Sequence, residues 1–204
     1  MITIINYGSG NIKAIANIYE KLKVDYTIAS TPKQVEGAKK IFLPGVGAFD
    51  ETISKLDSTG FRKVLDIEVL QNKVPIIGIC VGMQILAESS EEGRLKGLGY
   101  IKGKVKKLNS SAIIQKPKLP HLGWNSIQVN KQNKLLQNID PVFGFYFLHT
   151  YYFDCNDQND VLTTTQYGIT FASAVNRENV FGIQFHPEKS HHNGVKLLHN
   201  FANL

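Results

Sequence analysis

The N-terminal part of the chain alternates between short apolar runs and segments with helical spacing, and this alternation constrains the fold most strongly. Four runs are short and apolar enough to be strands: Ile2–Ile5, Val24–Ala29, Lys40–Leu43 and Val74–Ile79. Between and after them, apolar side chains recur at the spacing of a helix. Strands that alternate with helices in this way predict a parallel sheet covered by helices on both faces.

Four helical segments are predicted around these strands. They run from Ile12 to Leu22, from Thr31-Pro32 towards the third strand, from Asp50 to Gln71 with a break at Gly60, and from Val81 to Glu88. A capping residue followed by proline, as at Thr31-Pro32, is typical of the first turn of a helix.

The C-terminal half has a different pattern, in which short apolar runs are separated by turns. Six strands are predicted there: Tyr100–Leu108, Asn125–Val129, Phe143–His149, Val161–Gln166, Phe171–Val175 and Val180–Phe185. A final helix is expected to bury Val195, Leu197, Leu198 and Phe201. We therefore expect an α/β fold: a mostly parallel central sheet flanked by helices, with antiparallel strands at its edge. Residues 1–204 are expected to form a single domain.

The chain is basic, with 23 Lys and Arg against 17 Asp and Glu and a formal charge of +6. Much of the excess comes from six lysines: Lys102, Lys104, Lys106, Lys107, Lys116 and Lys118. No interleaved aromatic side chains accompany them, so we expect no nucleic-acid partner. Lys102, Lys104 and Lys106 have the period of a strand whose basic face is solvated, with Val105 on the opposite face. Such a face suits an acidic partner or a phosphorylated substrate.

The sequence favours a cytoplasmic protein without a membrane span. No apolar run approaches the roughly 20 residues that a spanning helix needs. The N-terminus lacks the basic region and the cleavage site of a signal peptide. The two cysteines, Cys80 and Cys155, are too few for a disulfide scaffold and fit a reducing compartment.

Gly78-Ile79-Cys80-Val81-Gly82 carries the strongest chemical signal. An apolar strand stops at Cys80 and a helix follows at once, which is the setting of a nucleophile on a sharp turn between two glycines. A thiolate there would lie at the N-terminus of a helix, where negative charge is favoured. The alternative is an inert buried cysteine in a core strand. Cys155 lies in a polar turn, Asp154–Asp157, and is predicted to be structural.

A thiol nucleophile needs a base and a group that orients the base. His186 and Glu188 flank Pro187, and in an extended chain residues two apart project to the same side. His186 follows a predicted strand, at an end where active sites of parallel sheets gather. The five other histidines have no comparable partner, and His191-His192 lacks the spacing of a metal site. We therefore expect neither a metal nor another cofactor.

Acyl chemistry at a thiol also needs hydrogen-bond donors for the oxyanion. The backbone amide of Val81 directly follows the nucleophile and is one candidate. The segment Pro44–Gly47 follows the third strand and can supply a second donor, the amide of Val46. An ordinary strand-to-helix turn is an equally good interpretation of Pro44–Gly47 alone.

Gly78–Gln84 together with Phe185–Glu188 resembles the class I (triad) glutamine amidotransferases, in which the thiol hydrolyses glutamine through a glutamyl thioester. Three further segments, Pro44–Phe49, Leu119–Asn125 and Tyr146–Tyr151, resemble one branch of that family, the glutaminase subunits of imidazole glycerol phosphate synthases in histidine biosynthesis. The resemblance extends over essentially the whole chain and implies a flavodoxin-like fold.

The resemblance implies a role for fourteen residues. It makes Cys80 the nucleophile, His186 the base and then acid, Glu188 its orienter, and the amides of Val46 and Val81 the oxyanion hole. It aligns Gly47, Gln84 and Glu92 with positions that hold the amide, carboxylate and amino groups of L-glutamine, and Thr150-Tyr151 with backbone contacts to the same substrate. It places Asn11, Trp124, Tyr146 and Lys189 at the partner face, with Tyr146 and Lys189 near the ammonia passage.

The resemblance also implies a heterodimer with a (β/α)8-barrel cyclase. The cyclase would use the ammonia to make imidazole glycerol phosphate and aminoimidazole carboxamide ribotide, and its ligand would activate the glutaminase. A flip of the Gly45-Val46 peptide could carry that coupling.

Two alternatives stay open at this point. Lys189–Asn193 is similar to the tails of paralogues that supply ammonia to sugar amidotransferases in surface-polysaccharide biosynthesis. The turn around Cys80 is also compatible with a stand-alone thiol hydrolase or peptidase.

Overall fold

The computed structural model describes residues 1–204, which form an eleven-stranded mixed sheet and a separate two-stranded ribbon. The strands are β1 Ile2–Ile5, β2 Tyr26–Ala29, β3 Ile41–Leu43, β4 Ile76–Ile79, β5 Ser89–Ser90, β6 Gly103–Lys107, β7 His121–Asn125, β8 Gln128–Val129, β9 Phe145–His149, β10 Tyr151–Cys155, β11 Val161–Tyr167, β12 Ile169–Arg177 and β13 Val180–Ile183. The helices are α1 Ile12–Lys21, α2 Phe49–Ser58, α3 Phe61–Leu65, α4 Val81–Gln84 and α5 His191–Ala202.

The centre of the large sheet is parallel. Its strand order is β2-β1-β3-β4-β13-β12-β10-β6-β5, and the first five strands pair in parallel. Strands β12, β10 and β6 continue the sheet in antiparallel pairs, while β11 adds to β12 and β8 to β11. Every residue of β1, β3, β4 and β13 is buried, as expected of strands covered on both faces. The predicted α/β fold is confirmed.

Two predicted helices are shorter in the structure. After Thr31 the chain forms only a 3-10 turn, Pro32–Val35, and Gly37 at φ +70° then turns it towards β3. After Cys80 the helix ends at Gln84 instead of Glu88, because the carbonyls of residues 85–88 accept hydrogen bonds from the amides of residues 97–101. The break predicted at Gly60 is confirmed, since it separates α2 from α3.

The antiparallel half contains two strands that the sequence pattern misassigned. A strand predicted at Asn125–Val129 is instead β7, His121–Asn125, followed by the short β8. On β7 the polar His121 and Asn125 face inward and the apolar Leu122 and Trp124 face solvent. This reverses the usual pattern of apolar residues inside and polar residues outside. The polar turn predicted around Cys155 is also wrong, because this residue ends β10 and is buried opposite Gly103 of β6.

The last helix, α5, buries Leu197, Leu198 and Phe201 as predicted but leaves Val195 36% exposed. The buried stripe instead continues through Gly194, where any side chain would overlap with the carbonyl of Pro187. Valine at the next position is therefore turned towards solvent.

The predicted basic strand face is confirmed on β6 for Lys104 and Lys106, which lie on the side opposite the buried Val105, whereas Lys102 precedes the strand. Lys106 lies 2.7 Å from Asp154, and Lys104 lies 3.8 Å from Glu91. These pairs neutralise part of the basic face. No helix of the fold is both long and apolar enough to cross a bilayer.

Candidate active site

Cys80 lies on a sharp turn, the nucleophile elbow Gly78–Gly82, between β4 and α4. Its backbone has φ +55° and ψ −112°, a strained conformation for a residue with a side chain. The amide of Cys80 still donates to the carbonyl of Ile183, at 2.8 Å, so β13 holds the turn in place. A side chain at Gly78 would overlap with the carbonyl of Gly82, which is why a glycine is required there.

The segment Pro44–Gly47, which we call the oxyanion loop, packs directly on the nucleophile elbow. A side chain at Gly82 would overlap with the carbonyl of Leu43, and one at Gly45 with the amide of Gly82. The ends of β3 and β4 therefore touch backbone to backbone, so the oxyanion loop can exchange hydrogen bonds with the turn that carries Cys80.

His186 and Glu188 meet as the sequence predicts, but the chain between them is not extended. Pro187–Lys189 forms a 3-10 turn, and this turn brings Glu188 Oε1 to 2.9 Å from His186 Nδ1. A carboxylate only accepts, so Nδ1 carries a proton and donates it. That tautomer leaves Nε2 to face the Cys80 thiol.

Electrostatics favour a charged His186. Burial alone would lower the pKa of its imidazole, but hydrogen bonds to Cys80 and Glu188 outweigh burial and raise that pKa to about 10. The imidazole consequently holds a proton at neutral pH. Cys155 is different, because burial raises the pKa of its thiol to about 12.

A cavity of about 370 Å³ opens beside the triad, and its walls contain twelve of the fourteen residues singled out in the sequence. The lining residues are Asn11, Val46, Gly47, Cys80, Val81, Gln84, Glu92, Leu148, His149, Thr150, Tyr151, His186, Glu188 and Lys189. Leu148 and His149 were not predicted there, and Trp124 and Tyr146 lie outside it. A cavity of this size accommodates a free amino acid.

Both candidate oxyanion donors are occupied within the protein. The amide of Val46 donates to Ser9 Oγ at 3.0 Å, and Ser9 Oγ in turn donates to the carbonyl of Val46 at 2.8 Å. The amide of Val81 donates to the carbonyl of Gly45 at 3.3 Å. A single peptide plane, Gly45-Val46, thus blocks Val81 with its oxygen and directs its own N–H to Ser9.

The predicted substrate residues lie on three sides of the cavity. Gln84 Nε2 donates to the carbonyl of Tyr151 and to Gln184 Oε1, both at 3.0 Å, which occupies both of its hydrogens. Glu92 Oε2 accepts the amide of Phe49 at the start of α2, at 2.9 Å. Thr150 and Tyr151 lie at the junction of β9 and β10.

Trp124 and Tyr146 lie on the exposed face of the β7–β9 ribbon, next to the mouth of the cavity. The ribbon pairs Leu122 with Leu148 and Trp124 with Tyr146, so these four side chains share one face. Leu122 is 54% exposed and Trp124 is 42% exposed. Lys189 Nζ lies 5.5 Å from the centre of the Tyr146 ring, a cation–π contact between this face and the cavity.

The opposite face of the ribbon contains a histidine pair that sequence reasoning missed. His121 Nδ1 lies 2.9 Å from His149 Nε2, and His149 Nδ1 lies 2.8 Å from the carbonyl of Tyr151. Since a carbonyl only accepts, His149 donates from Nδ1 and must accept from His121 Nδ1. Burial lowers the pKa of both rings, so the pair is neutral. The expectation that these histidines lack a partner is wrong, because only the strand register brings them together.

A thiol on a strained turn and an imidazole–carboxylate pair at the ends of a parallel sheet are the arrangement expected of a thiol-dependent acyl hydrolase. The chain belongs to the class-I glutamine amidotransferases, whose family model matches residues 3–203. It is 50% identical over 204 residues to "Imidazole glycerol phosphate synthase subunit HisH" of Leptospira borgpetersenii, with all of both chains covered. It is 46% identical over 201 residues to the HisH 2 protein of Methanococcus maripaludis, which has the same subunit name, with 98% of both chains covered.

Solved structures show the same fold at lower sequence identity. A structure described as a glutamine amidotransferase matches with a TM-score of 0.72 and 16% identity over all of both chains. A glutamine amidotransferase from Thermotoga maritima matches with a TM-score of 0.66 and 18% identity, covering 92% of this chain and 75% of that one. The flavodoxin-like α/β architecture is thus that of glutamine amidotransferases.

Proposed function

We propose that this chain is the glutaminase subunit of an imidazole glycerol phosphate synthase and hydrolyses L-glutamine to L-glutamate and ammonia. The observation that carries the proposal is geometric: Cys80, His186 and Glu188 line one cavity of about 370 Å³, with Glu188 Oε1 2.9 Å from His186 Nδ1. The full-length relatives that carry this subunit name support the choice of pathway over a sugar amidotransferase. Two free thiols fit the cytoplasm, where we place the enzyme.

The reaction proceeds in two halves. The Cys80 thiolate attacks the side-chain amide carbon of glutamine, and the carbonyl electrons move to the oxygen. When this tetrahedral intermediate collapses, the C–N bond breaks and His186 donates its proton to the leaving nitrogen, which releases ammonia and leaves a glutamyl thioester. His186 then takes a proton from water, the resulting hydroxide attacks the thioester, and glutamate leaves as the thiolate is restored.

The cavity suggests how glutamine lies in it. The resemblance aligned Gln84 with the substrate carboxylate, but both hydrogens of its Nε2 are already donated within the protein. Its Oε1 is the atom left for a ligand, and an acceptor suits the ammonium group instead. Glu92 adds a negative charge for the same group. Backbone groups of Thr150 and Tyr151 remain for the carboxylate, and Gly47 borders the side-chain amide.

The Gly45-Val46 peptide is the natural gate of this reaction. Its rotation by half a turn would free the amide of Val81 and turn the amide of Val46 away from Ser9, so one movement would supply both oxyanion donors. Gly45→Ala is a poor test of the gate, because the added carbon would overlap with the amide of Gly82.

The exposed ribbon face is the surface on which we place the partner, a (β/α)8-barrel cyclase that receives the ammonia. Leu122, Trp124, Tyr146 and Leu148 form an apolar surface next to the cavity mouth, and Asn11 and Lys189 lie on its rim. Docking there would cover apolar side chains and shield ammonia from water, where it would become protonated.

The test is glutamate release by the purified chain, alone and with a barrel cyclase plus its nucleotide ligand. We expect slow release alone and strong stimulation in the complex, abolished by Cys80→Ala. If stimulation fails with this cyclase but a glutamine-analogue thiol reagent still labels Cys80, the chemistry holds and the partner is wrong. If no labelling occurs, the proposed function itself is wrong.

A further inference from the structure

Gln184 is a completely buried polar residue beside the nucleophile that the reaction scheme above does not use. It follows β13, two residues before His186, and its backbone amide donates to the carbonyl of Ser173 at 2.9 Å. Its side chain therefore enters the site from the rigid, parallel centre of the sheet. A buried carboxamide must satisfy its polar atoms within the protein, so the partners of Gln184 are informative.

The hydrogen-bond network determines the orientation of this carboxamide. Gln84 Nε2 donates to the carbonyl of Tyr151, which only accepts, so the atom that Gln84 presents to Gln184 is a nitrogen. The atom of Gln184 that faces it, at 3.0 Å, must consequently be the oxygen. The nitrogen of Gln184 is then directed at Cys80 Sγ, at 3.8 Å.

We propose that Gln184 is a catalytic residue whose side-chain N–H donates a hydrogen bond to the Cys80 sulfur and stabilises the thiolate. A hydrogen bond to the charged form of a group favours that form, and it does so more strongly where water is excluded. The proton of the thiol moves to His186 Nε2, while Gln184 keeps both of its own hydrogens throughout. The same carboxamide links the nucleophile to Gln84, and through it to the carbonyl of Tyr151 on the cavity wall.

Stabilisation of the thiolate has a consequence that a packing role would not have. If Gln184 only filled space, a side chain of equal length without N–H would preserve the reactivity of Cys80. If it stabilises the thiolate, that replacement must slow every reaction of the thiolate, including reactions with reagents unrelated to glutamine. Methionine is unbranched and apolar, which makes it a suitable replacement.

The experiment measures alkylation of Cys80 by iodoacetamide in Gln184→Met, in a Cys155→Ala background so that one thiol is followed. We expect the rate at neutral pH to fall about tenfold to a hundredfold, the factor associated with a hydrogen bond to a charged group. The ultraviolet absorbance of the thiolate should fall in parallel. Gln128→Met makes the same substitution at an exposed position and should leave both signals unchanged.

Equal alkylation rates in folded Gln184→Met and in the parent would overturn the inference. If Gln184→Met does not fold, Gln184→Asn is the second variant. It moves the side-chain nitrogen away from the sulfur by one methylene and should lower the alkylation rate by the same factor. An alkylation rate equal to that of the parent protein would again contradict the inference. In glutamine turnover, which rests on the proposed function, kcat should fall with little change in KM. The alkylation assay needs neither glutamine nor a cyclase, so the two tests are independent. The parent chain can fail as a glutaminase while the role of Gln184 is confirmed, and it can be a glutaminase while the role of Gln184 is contradicted.

Discussion

The triad residues follow β4 and β13, the oxyanion loop follows the neighbouring β3, and the polar groups of the two regions are satisfied in different ways. His186 is held by Glu188 on one side and Cys80 on the other, contacts that the reaction itself uses. In the oxyanion loop, Val46 donates to Ser9, a partner that would have to be released before the loop could bind an oxyanion. In the free protein the proposed base already contacts its carboxylate, whereas the proposed oxyanion donors are bonded to other groups.

This difference shows where a partner could act on the enzyme. The buried parallel strands cannot shift without loss of packing, so they suit groups whose geometry must stay constant. A loop with glycines, whose amide and carbonyl groups bond to Ser9 and Val81, is better suited to a second arrangement that a docked partner would favour. Substitutions in the two regions should therefore have effects of different kinds and sizes.

The largest effect is expected at the nucleophile. Cys80→Ala should lower glutamine hydrolysis by at least about a thousandfold, because members of a triad act as a unit. Cys155→Ala is the matched control and should keep the activity of the folded protein within about twofold, since that thiol lies on β10 away from the cavity. Glutamate release is measured for both variants. If Cys155→Ala abolished the activity and Cys80→Ala did not, the assignment of Cys80 as the nucleophile would be wrong.

The contact between the two regions should be costly to disturb. Gly82→Ala places a carbon against the carbonyl of Leu43, and we expect a loss of about 3 kcal/mol in the free energy of unfolding. Gly37→Ala has open space around the added carbon and only a positive φ to oppose it, so about 1 kcal/mol is expected. Urea unfolding compares them, and equal losses would show that the close approach is unimportant.

The histidine pair behind the ribbon predicts sensitivity to acid. Burial lowers the pKa of His121 and His149, so below about pH 6.5 the unfolded chain binds protons that the folded pair does not. The free energy of unfolding should therefore fall as the pH falls, by about 1 kcal/mol per pH unit for each histidine on average between pH 6.5 and 4.5. His186, whose pKa is raised, contributes stability that is lost only above pH 6.5.

His149→Asn should reduce the pH dependence of the free energy of unfolding by the contribution of one histidine. Urea unfolding across that pH range measures this dependence. The exposed His199→Asn should leave the slope as it was. An unchanged slope in His149→Asn would mean that the buried pair does not resist protonation.

The smallest effect is expected at the loop. Ser9→Ala removes the hydroxyl that accepts the Val46 amide and donates to the Val46 carbonyl. Only the amide bond opposes the flip of the Gly45-Val46 peptide, and its loss, about 0.5–1.5 kcal/mol, should raise glutamate release without a partner two- to tenfold. Ser58→Ala, an exposed serine on α2, serves as control. If Ser9→Ala lowers the basal rate instead, the serine supports the active arrangement and the gate is misassigned.

Sequence reasoning placed residues correctly where the groups that meet are neighbours in the chain. The nucleophile elbow needs an apolar strand, a nucleophile and two glycines within a few residues, and His186 and Glu188 are two residues apart. It failed where function depends on strand register. His121 meets His149 only because β7 pairs with β9, and Gln184 reaches Cys80 only because β13 lies beside β4. The sequence pattern also misplaced β7, because the inward residues of this strand are polar.

The sequence by itself determined the alternating α/β architecture, the placement of Cys80 on a turn between strand and helix, the proximity of His186 to Glu188, and the glycines that the turn requires, because each is encoded by short-range pattern and sterics. Only the tertiary structure decided which hydrogen bonds those groups make. It directed the Val46 amide to Ser9, oriented the carboxamide of Gln184 towards sulfur and placed Trp124 and Tyr146 on one exposed face. Such pairings depend on residues far apart in the chain, and the free energy that selects them is that of the whole packed fold.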